Sequence, residues 1–135
     1  MRIVVNDIVA VPESGGVFSI LEDFYNKIIN QQDKNEWIFL LSDKYFFETK
    51  NVKIMVFPEI KKNWFKRIQF ELYTGKNVIK NLKPDVYLSL QNTMTLGLQN
   101  CRCITYVHQP LFYQKNITFS FLKKSERNLA IHQRL

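Results

Sequence analysis

Five short apolar runs, separated by longer segments with helical spacing, constrain the fold of this 135-residue chain more than any other feature. The runs are rich in β-branched and aromatic residues, a composition that favours β-strands. They cover roughly residues 2–6, 36–42, 52–57, 85–90 and 102–107. Several are apolar on both faces, as strands are when helices cover both sides of a parallel sheet.

The segments between the runs predict crossover helices. One begins near Gly16, and a second spans residues 63–82. The second helix stops at Lys83-Pro84, because a proline pushes the residue before it out of the helical conformation. The apolar positions are Val17, Ile20, Leu21, Phe24 and Ile28 in the first helix, and Phe65, Ile68, Leu72, Ile79 and Leu82 in the second. Strands that alternate with such helices predict an α/β fold, a Rossmann-like three-layer sandwich with a mainly parallel sheet.

The composition suits one folded domain. Hydrophobic residues make up 46% of the chain and aromatic residues 14%, which excludes a disordered protein. No run approaches the ~20 apolar residues of a membrane-spanning helix, and the first apolar run is too short for a secretory signal. We therefore expect a cytoplasmic protein. A helical pattern from about Lys123 continues to Leu135 without a closing strand, so we expect either the front part of a longer protein or a frayed final helix.

The net charge of +7 is concentrated in one region. Residues 61–83 contain seven Lys or Arg and a single acid, Glu71. The first part of this region alternates cations with aromatic side chains: Lys61, Lys62, Trp64, Phe65, Lys66 and Arg67. Such a patch suits an anionic lipid surface, a phosphate or a nucleic-acid backbone, although a solvated basic helix face is the commonest meaning.

Familiar catalytic and metal motifs are absent from the sequence. It contains no G-x-S-x-G elbow, P-loop, H-E-x-x-H or G-x-G-x-x-G. Cys101 and Cys103 lack a second Cys/His pair for zinc, and we interpret them as small core residues on one strand face. The chain therefore shows binding geometry more clearly than catalysis.

Three groups of residues are expected at the carboxyl ends of the strands, where open parallel sheets bind ligands. Gly15 and Gly16 open the first helix, Gln91-Asn92-Thr93 follows the fourth strand, and His108 follows the fifth. Glycines at a helix start let a diphosphate approach the backbone. Simpler interpretations remain open: the glycines only shape a turn, Asn92 caps a short helix over 94–99, and His108 is an ordinary loop residue.

These features, in this order, resemble the amino-terminal domain of a family 4 (group 1) retaining glycosyltransferase with the GT-B fold. The resemblance rests on the Gly-Gly loop, on Leu82-Lys83-Pro84-Asp85-Val86-Tyr87 and on Tyr106-Val107-His108-Gln109-Pro110-Leu111. The segment Phe121-Leu122-Lys123-Lys124-Ser125-Glu126-Arg127 is similar to the helix that follows in such enzymes. The likeness covers nearly the whole chain, and each motif is moderately specific.

The resemblance implies a domain of an enzyme that moves a sugar from a nucleotide-diphosphate donor to a saccharide or lipid-linked acceptor in polysaccharide synthesis. Gly15 and Gly16 would approach the donor diphosphate and the acceptor, His108 would be the catalytic-site residue that contacts the donor sugar, and Asn92 would bind the acceptor. No metal or cofactor is implied, since the nucleotide sugar is a substrate. The carboxy-terminal, donor-binding domain is missing, so we do not expect this chain alone to catalyse the transfer.

Two further interpretations concern the basic region. Lys61, Lys62, Lys66 and Arg67 would give peripheral contact with the anionic inner face of a membrane, as acceptors embedded in lipid require. The rival from another class is a non-enzymatic basic α/β module that binds nucleic acid or another anionic ligand, although no nucleic-acid reader motif is present. A third interpretation is a Rossmann-like domain that completes a site for another small ligand by itself.

Overall fold

The computed structural model describes residues 1–31, 33–91 and 94–107, without the side chains of Ser14, Lys61 and Lys62. Their core is a five-stranded, all-parallel sheet with the strand order β3-β2-β1-β4-β5. The strands are β1 (Arg2–Asn6), β2 (Glu36–Leu41), β3 (Val52–Val56), β4 (Val86–Ser89) and β5 (Arg102–Thr105). The predicted Rossmann-like α/β fold is confirmed.

Helices flank both faces of this sheet. A short 3-10 turn (Pro12–Ser14) leads into α1 (Gly16–Gln31), which connects β1 to β2. Between β3 and β4 lie α2 (Pro58–Lys62), α3 (Trp64–Gln69), a π-helical turn (Phe70–Thr74) and α4 (Gly75–Leu82). Each connection returns the chain to the amino end of a parallel strand, as a crossover must.

The alternation of side chains along β1 explains the two layers of core. Ile3 and Val5 pack with Leu21 of α1 in one cluster, whereas Val4 packs with Phe70 and Ile79 in a cluster on the other face. Successive residues of a strand point to opposite faces, so an uninterrupted apolar strand requires helices on both sides.

The helix predicted over 63–82 is confirmed, since α3, the π-helical turn and α4 run without a break from Trp64 to Leu82, but its predicted apolar face is partly wrong. The π-helical turn inserts an extra residue into the helical repeat and rotates the apolar face, so Phe70 is buried at 2% exposure. Two members of the predicted stripe, Phe65 and Leu72, are instead 75% and 41% exposed. Gly75 permits this geometry, because a Cβ there would lie 2.9 Å from the Phe70 ring.

Two expectations about residues 94–103 are wrong. Cys101 is only half-buried and Cys103 is exposed, because β5 is an edge strand that pairs with β4 alone among the described strands. Their sulfur atoms lie 3.8 Å apart as free thiols, and burial raises the pKa of Cys101 to about 11. Residues 94–99 form a turn instead of a helix, with Gly97 in the left-handed conformation at φ +77°.

The strand order places the switch point of the sheet between β1 and β4. The chain winds outward from β1 through β2 to β3, and then crosses back to add β4 on the other side of β1. The two crossover directions diverge there and leave a crevice beyond the carboxyl ends of these two strands. Residues 7–15 and 90–91 therefore border the position where this fold binds ligands.

Candidate functional site at the carboxyl edge of the sheet

The glycine pair lies in the loop from β1 to α1, as the sequence predicts. Gly15 has a left-handed φ of +64°, and its carbonyl oxygen accepts hydrogen bonds from the Ser19 amide at 3.1 Å and the Ser19 hydroxyl at 3.3 Å. No atom lies within 4 Å of the position that a Cβ would occupy at either Gly15 or Gly16. The backbone here faces open space, which a ligand can approach.

Two predicted site residues, Asn92 and His108, lie outside the described residues. Their convergence with Gly15 and Gly16 stays a prediction. The same holds for Thr93 and for the segment from Gln109 onward that contributed to the resemblance. The site is therefore built from the side chains around the ends of β1 and β4.

A satisfied hydrogen-bond network fixes the end of β1. The Asn6 side-chain amide donates to the Tyr87 hydroxyl at 2.8 Å, which lies 2.9 Å from the Thr95 hydroxyl. The Asn6 side-chain oxygen also accepts from the backbone amide of Ile8 at 3.2 Å. Burial raises the pKa of Tyr87, so its phenol stays protonated and available to both neighbours. This network holds the backbone on either side of Asp7.

Asp7 is the most unusual residue at this edge. Its side chain is fully buried, yet neither carboxyl oxygen has a hydrogen-bond partner among the described residues. Burial raises the pKa of Asp7 to about 8, and the nearby positive charge of Arg67 offsets part of that effect. The carboxyl group is therefore largely protonated at neutral pH, in a position where a ligand could supply partners.

Gln91, just beyond β4, is oriented by a neighbouring ion pair. Its side-chain nitrogen donates to Glu71 Oε1 at 3.2 Å, and Arg67 Nε donates to the same oxygen at 3.4 Å. A carboxylate only accepts, so it selects the NH₂ end of the Gln91 amide and turns the amide oxygen away. That oxygen is buried and has no partner in the described part of the chain.

A cleft of about 220 Å³ reaches Arg67, although neither Asp7 nor Gln91 lines it. It is lined by Val9 from the loop after β1 and by Ile60, Asn63, Trp64 and Arg67 from the α2–α3 corner. Asn63 caps α3 by accepting a hydrogen bond from the Phe65 amide at 2.9 Å, which fixes the corner. Arg67 thus connects the cleft with both Asp7 and Gln91.

The basic region separates into two parts in the structure. Lys66 pairs with Glu59 at 3.1 Å on the surface, whereas Arg67 pairs with Glu71 and is only 27% exposed. Lys61 and Lys62 end α2, and their side chains lie outside what the structure describes. Trp64, Phe65 and Tyr73 are 54%, 75% and 69% exposed, so this face carries aromatic surface as well as charge.

Sequence reasoning missed Asp7 and Glu71. The available signal for Asp7 was its position directly after an apolar strand, since an acid there falls at the ligand edge of a parallel sheet. For Glu71 the available signal was its position four residues after Arg67, the spacing of a helical ion pair, whereas its contact with Gln91 spans 20 residues and had no local signal. The described residues contain no group of three metal-ligating side chains, and none of their helices could cross a bilayer.

The fold is that of a Rossmann-like α/β domain, and the candidate site lies at the β1–β4 switch point of its sheet. Comparison of the chain with family models, with curated proteins and with solved structures found no match in any of the three.

Proposed function

We propose that this chain is the acceptor-side, amino-terminal domain of a retaining glycosyltransferase of the GT-B type. It works with a second, donor-binding domain to transfer a sugar from a nucleotide-diphosphate donor to a saccharide or lipid-linked acceptor. His108 contacts the donor sugar, Asn92 contributes to the acceptor side, and the backbone of Gly15 and Gly16 approaches the diphosphate. The nucleotide sugar is a substrate, and the proposal requires no cofactor.

The observation that carries this proposal is the position of the glycine pair relative to the switch point. Gly15 and Gly16 follow β1, the strand at which the crossover direction reverses, and leave open space around their backbone. Amide groups at the start of the 16-residue helix α1 favour an anionic group. Buried polar side chains for hydroxyl groups lie beside them at the ends of β1 and β4.

The proposal can be tested by nuclear magnetic resonance on the ¹⁵N-labelled chain. Titration with UDP-glucose, GDP-mannose and UDP-N-acetylglucosamine should shift the amide signals of Gly15 and Gly16, with weak affinity because one domain supplies only half of the cleft. Gly15→Ala, which strains a left-handed backbone position, should reduce the shifts. The absence of any response to all three donors would contradict the proposal.

The nucleic-acid alternative is separated by a second titration. Fluorescence anisotropy with duplex and single-stranded oligonucleotides at moderate salt should show no tight binding. The sequence contains no nucleic-acid reader motif. Tight binding of either oligonucleotide would favour the basic binding module.

A second proposal follows from the exposed aromatic face: the region around α3 contacts an anionic membrane peripherally. Phe65 and Tyr73 are more than two-thirds exposed, so core packing does not explain them. Aromatic side chains that accompany lysines are typical of surfaces that enter the lipid headgroup layer. Such contact would bring a lipid-linked acceptor to the crevice.

Co-sedimentation with vesicles tests the membrane proposal. Vesicles that contain phosphatidylglycerol should bind the chain, and binding should weaken with salt and after Lys61, Lys62, Lys66 and Arg67 are changed to Gln. The double variant Phe65→Ser, Tyr73→Ser should also bind less, whereas Phe47→Ser, which removes an 86% exposed ring elsewhere, should not. Binding that none of these changes affects would remove the proposal.

A further inference from the structure

Three buried side-chain oxygens near the carboxyl ends of β1 and β4 have no hydrogen-bond partner among the described residues. They are the two carboxyl oxygens of Asp7 and the amide oxygen of Gln91. The strand register brings the two residues together, because Asn6 lies opposite Ser89 and the Leu90 amide donates to the Asn6 carbonyl. Asp7 and Gln91 therefore extend from neighbouring parallel strands at the switch point.

A buried polar group without a partner is costly, and most proteins avoid it. Such groups persist where a ligand supplies the missing hydrogen bonds. The Gln91 oxygen and one Asp7 oxygen are acceptors, and the other Asp7 oxygen carries a proton at neutral pH, so the ligand must both donate and accept hydrogen bonds. The nearby Asn6, Tyr87 and Thr95 side chains satisfy one another and therefore do not compete for the same role.

We propose that Asp7 and Gln91 form a saccharide-binding subsite that exchanges hydrogen bonds with the hydroxyl groups of one sugar ring. The inference rests on the proposed function and names two side chains that would bind the sugar on this domain. Glu71 is a positioning residue, because it holds the Gln91 amide with its oxygen free. Arg67 borders the subsite and pairs with Glu71.

Hydroxyl donors fit this position better than a cationic ligand does. Arg67 already places a positive charge near Asp7, and residues 61–83 carry seven bases and one acid. A second cation would be repelled. Hydroxyl groups are uncharged, and they can donate to a carboxylate as well as exchange hydrogen bonds with a protonated carboxyl group.

The neighbouring cleft provides the volume for a small ligand. At about 220 Å³ it is smaller than the sites that enclose drug-sized molecules, which suits a single ring. Trp64 contributes aromatic surface at its wall, and Val9 joins it to the loop that carries Asp7. Asp7 and Gln91 are buried and do not line this cleft, so the ring must displace the side chains that separate them from it.

The test is a titration of the ¹³C,¹⁵N-labelled chain with methyl α-D-glucopyranoside and methyl α-D-mannopyranoside at millimolar concentrations. At least one glycoside should shift the Asp7 carboxyl carbon and the Gln91 side-chain amide signals. It should also lower the titration midpoint of the Asp7 carboxyl, since hydroxyl donors favour the carboxylate. Tetrahydropyran, a ring of the same size without hydroxyl groups, should cause neither change.

Substitutions at Asp7 and Gln91 show whether the glycoside binds at these two residues. Asp7→Leu and Gln91→Met remove acceptors with little change in volume, and each should weaken glycoside binding roughly ten-fold. The matched controls Asp23→Leu and Gln69→Met alter exposed helical residues and should bind as the unchanged chain does. If a site variant does not fold, the carboxyl signal of the unchanged chain still decides the question.

The outcomes separate this inference from the proposed function. Glycoside shifts at Asp7 and Gln91 support the subsite, even if no nucleotide sugar affects Gly15 and Gly16. Shifts at the glycines without any glycoside response at Asp7 or Gln91 overturn the subsite and leave the transferase proposal standing. Equal responses to tetrahydropyran, or binding unaffected by both site variants, also overturn it.

Discussion

The two ends of the parallel sheet differ in how they treat polar side chains. At the amino end, the backbone amide of Arg2 donates to the Asp85 carboxylate at 2.7 Å, and the Arg2 side-chain Nε pairs with the Glu36 carboxylate at 3.0 Å. Asp33 accepts from the Trp37 indole at 3.2 Å and from Asn35. At the carboxyl end, by contrast, Asp7 and Gln91 keep three buried side-chain oxygens without partners among the described residues.

Cavity size alone favours the amino end, not the end at which we propose the site. The cleft at the amino end is about 440 Å³ and is lined in part by Trp37, Asn51 and Val52, whereas the one near Asp7 is about 220 Å³. In the larger cleft the Asn51 side-chain amide donates to the backbone carbonyl of Asp33 at 2.9 Å. We therefore base the proposed site on unmet hydrogen-bonding capacity instead of volume.

The largest expected effect is the pH dependence of stability at Asp7. Its pKa is about 8 in the folded chain against 3.8 ordinarily, so the folded state binds the proton more tightly than the unfolded state does. The contribution of Asp7 protonation to the free energy of unfolding is fully present below pH 3.8 and is lost as the pH rises towards 8. At about 1.4 kcal/mol per pH unit, the total loss is on the order of 5 kcal/mol.

Asp7→Asn removes the titrating carboxyl group. Urea unfolding of the variant and of the unchanged chain between pH 4 and pH 9 measures the difference in their free energies of unfolding. The free energy of unfolding of the variant, relative to the unchanged chain, should rise with pH by up to about 1.4 kcal/mol per unit until about pH 8. Asp23→Asn, at an exposed position of α1, should show no such slope. Parallel curves for Asp7→Asn and the unchanged chain would mean that the carboxylate is stabilised in the folded state.

The strands and their order of appearance could be predicted from the sequence, because runs such as Ile3-Val4-Val5 are apolar on both faces. The predicted bounds differ from the observed ones by at most two residues, as at β5, which ends at Thr105. The start of α1 at Gly16 could also be predicted from the sequence, since two glycines precede a run of apolar residues at helical spacing.

The helix over 63–82 could be predicted, but the full set of residues that it buries could not, because the π-helical turn interrupts the 3.6-residue repeat. A 3.6-residue period favoured Leu72 as a core residue, whereas the π-helical turn buries Phe70. Glu71 pairs with Arg67 at ordinary i,i+4 helical spacing, whereas its contact with Gln91 joins residues 20 positions apart. The positioning of Gln91 at the candidate site thus depends on a tertiary contact that no local pattern predicts.

The second prediction concerns the hydrogen-bond network of Asn6, Tyr87 and Thr95 at the carboxyl end of the sheet. Tyr87→Phe removes the hydroxyl that accepts from Asn6 and contacts Thr95, and it leaves these buried groups without that partner. We expect a loss of about 1–3 kcal/mol in the free energy of unfolding at neutral pH. Chemical denaturation measures it, and Tyr73→Phe, which changes an exposed tyrosine, is the control. Equal stability of both variants would show that the network does not hold the end of β1.

The smallest effect is expected at the amino end, where Glu36→Gln removes the ion pair with Arg2. Both side chains are more than a third exposed, so solvent screens the pair and its contribution should be below about 1 kcal/mol. Arg2 keeps its contact with the Leu82 carbonyl oxygen, which limits the loss further. Denaturation at low and high salt should show a difference that shrinks as ionic strength rises, and Glu22→Gln on the exposed face of α1 serves as the control. A salt-independent loss as large as that of Tyr87→Phe would mean that the two ends of the sheet are stabilised alike, and the contrast between them would no longer identify the site.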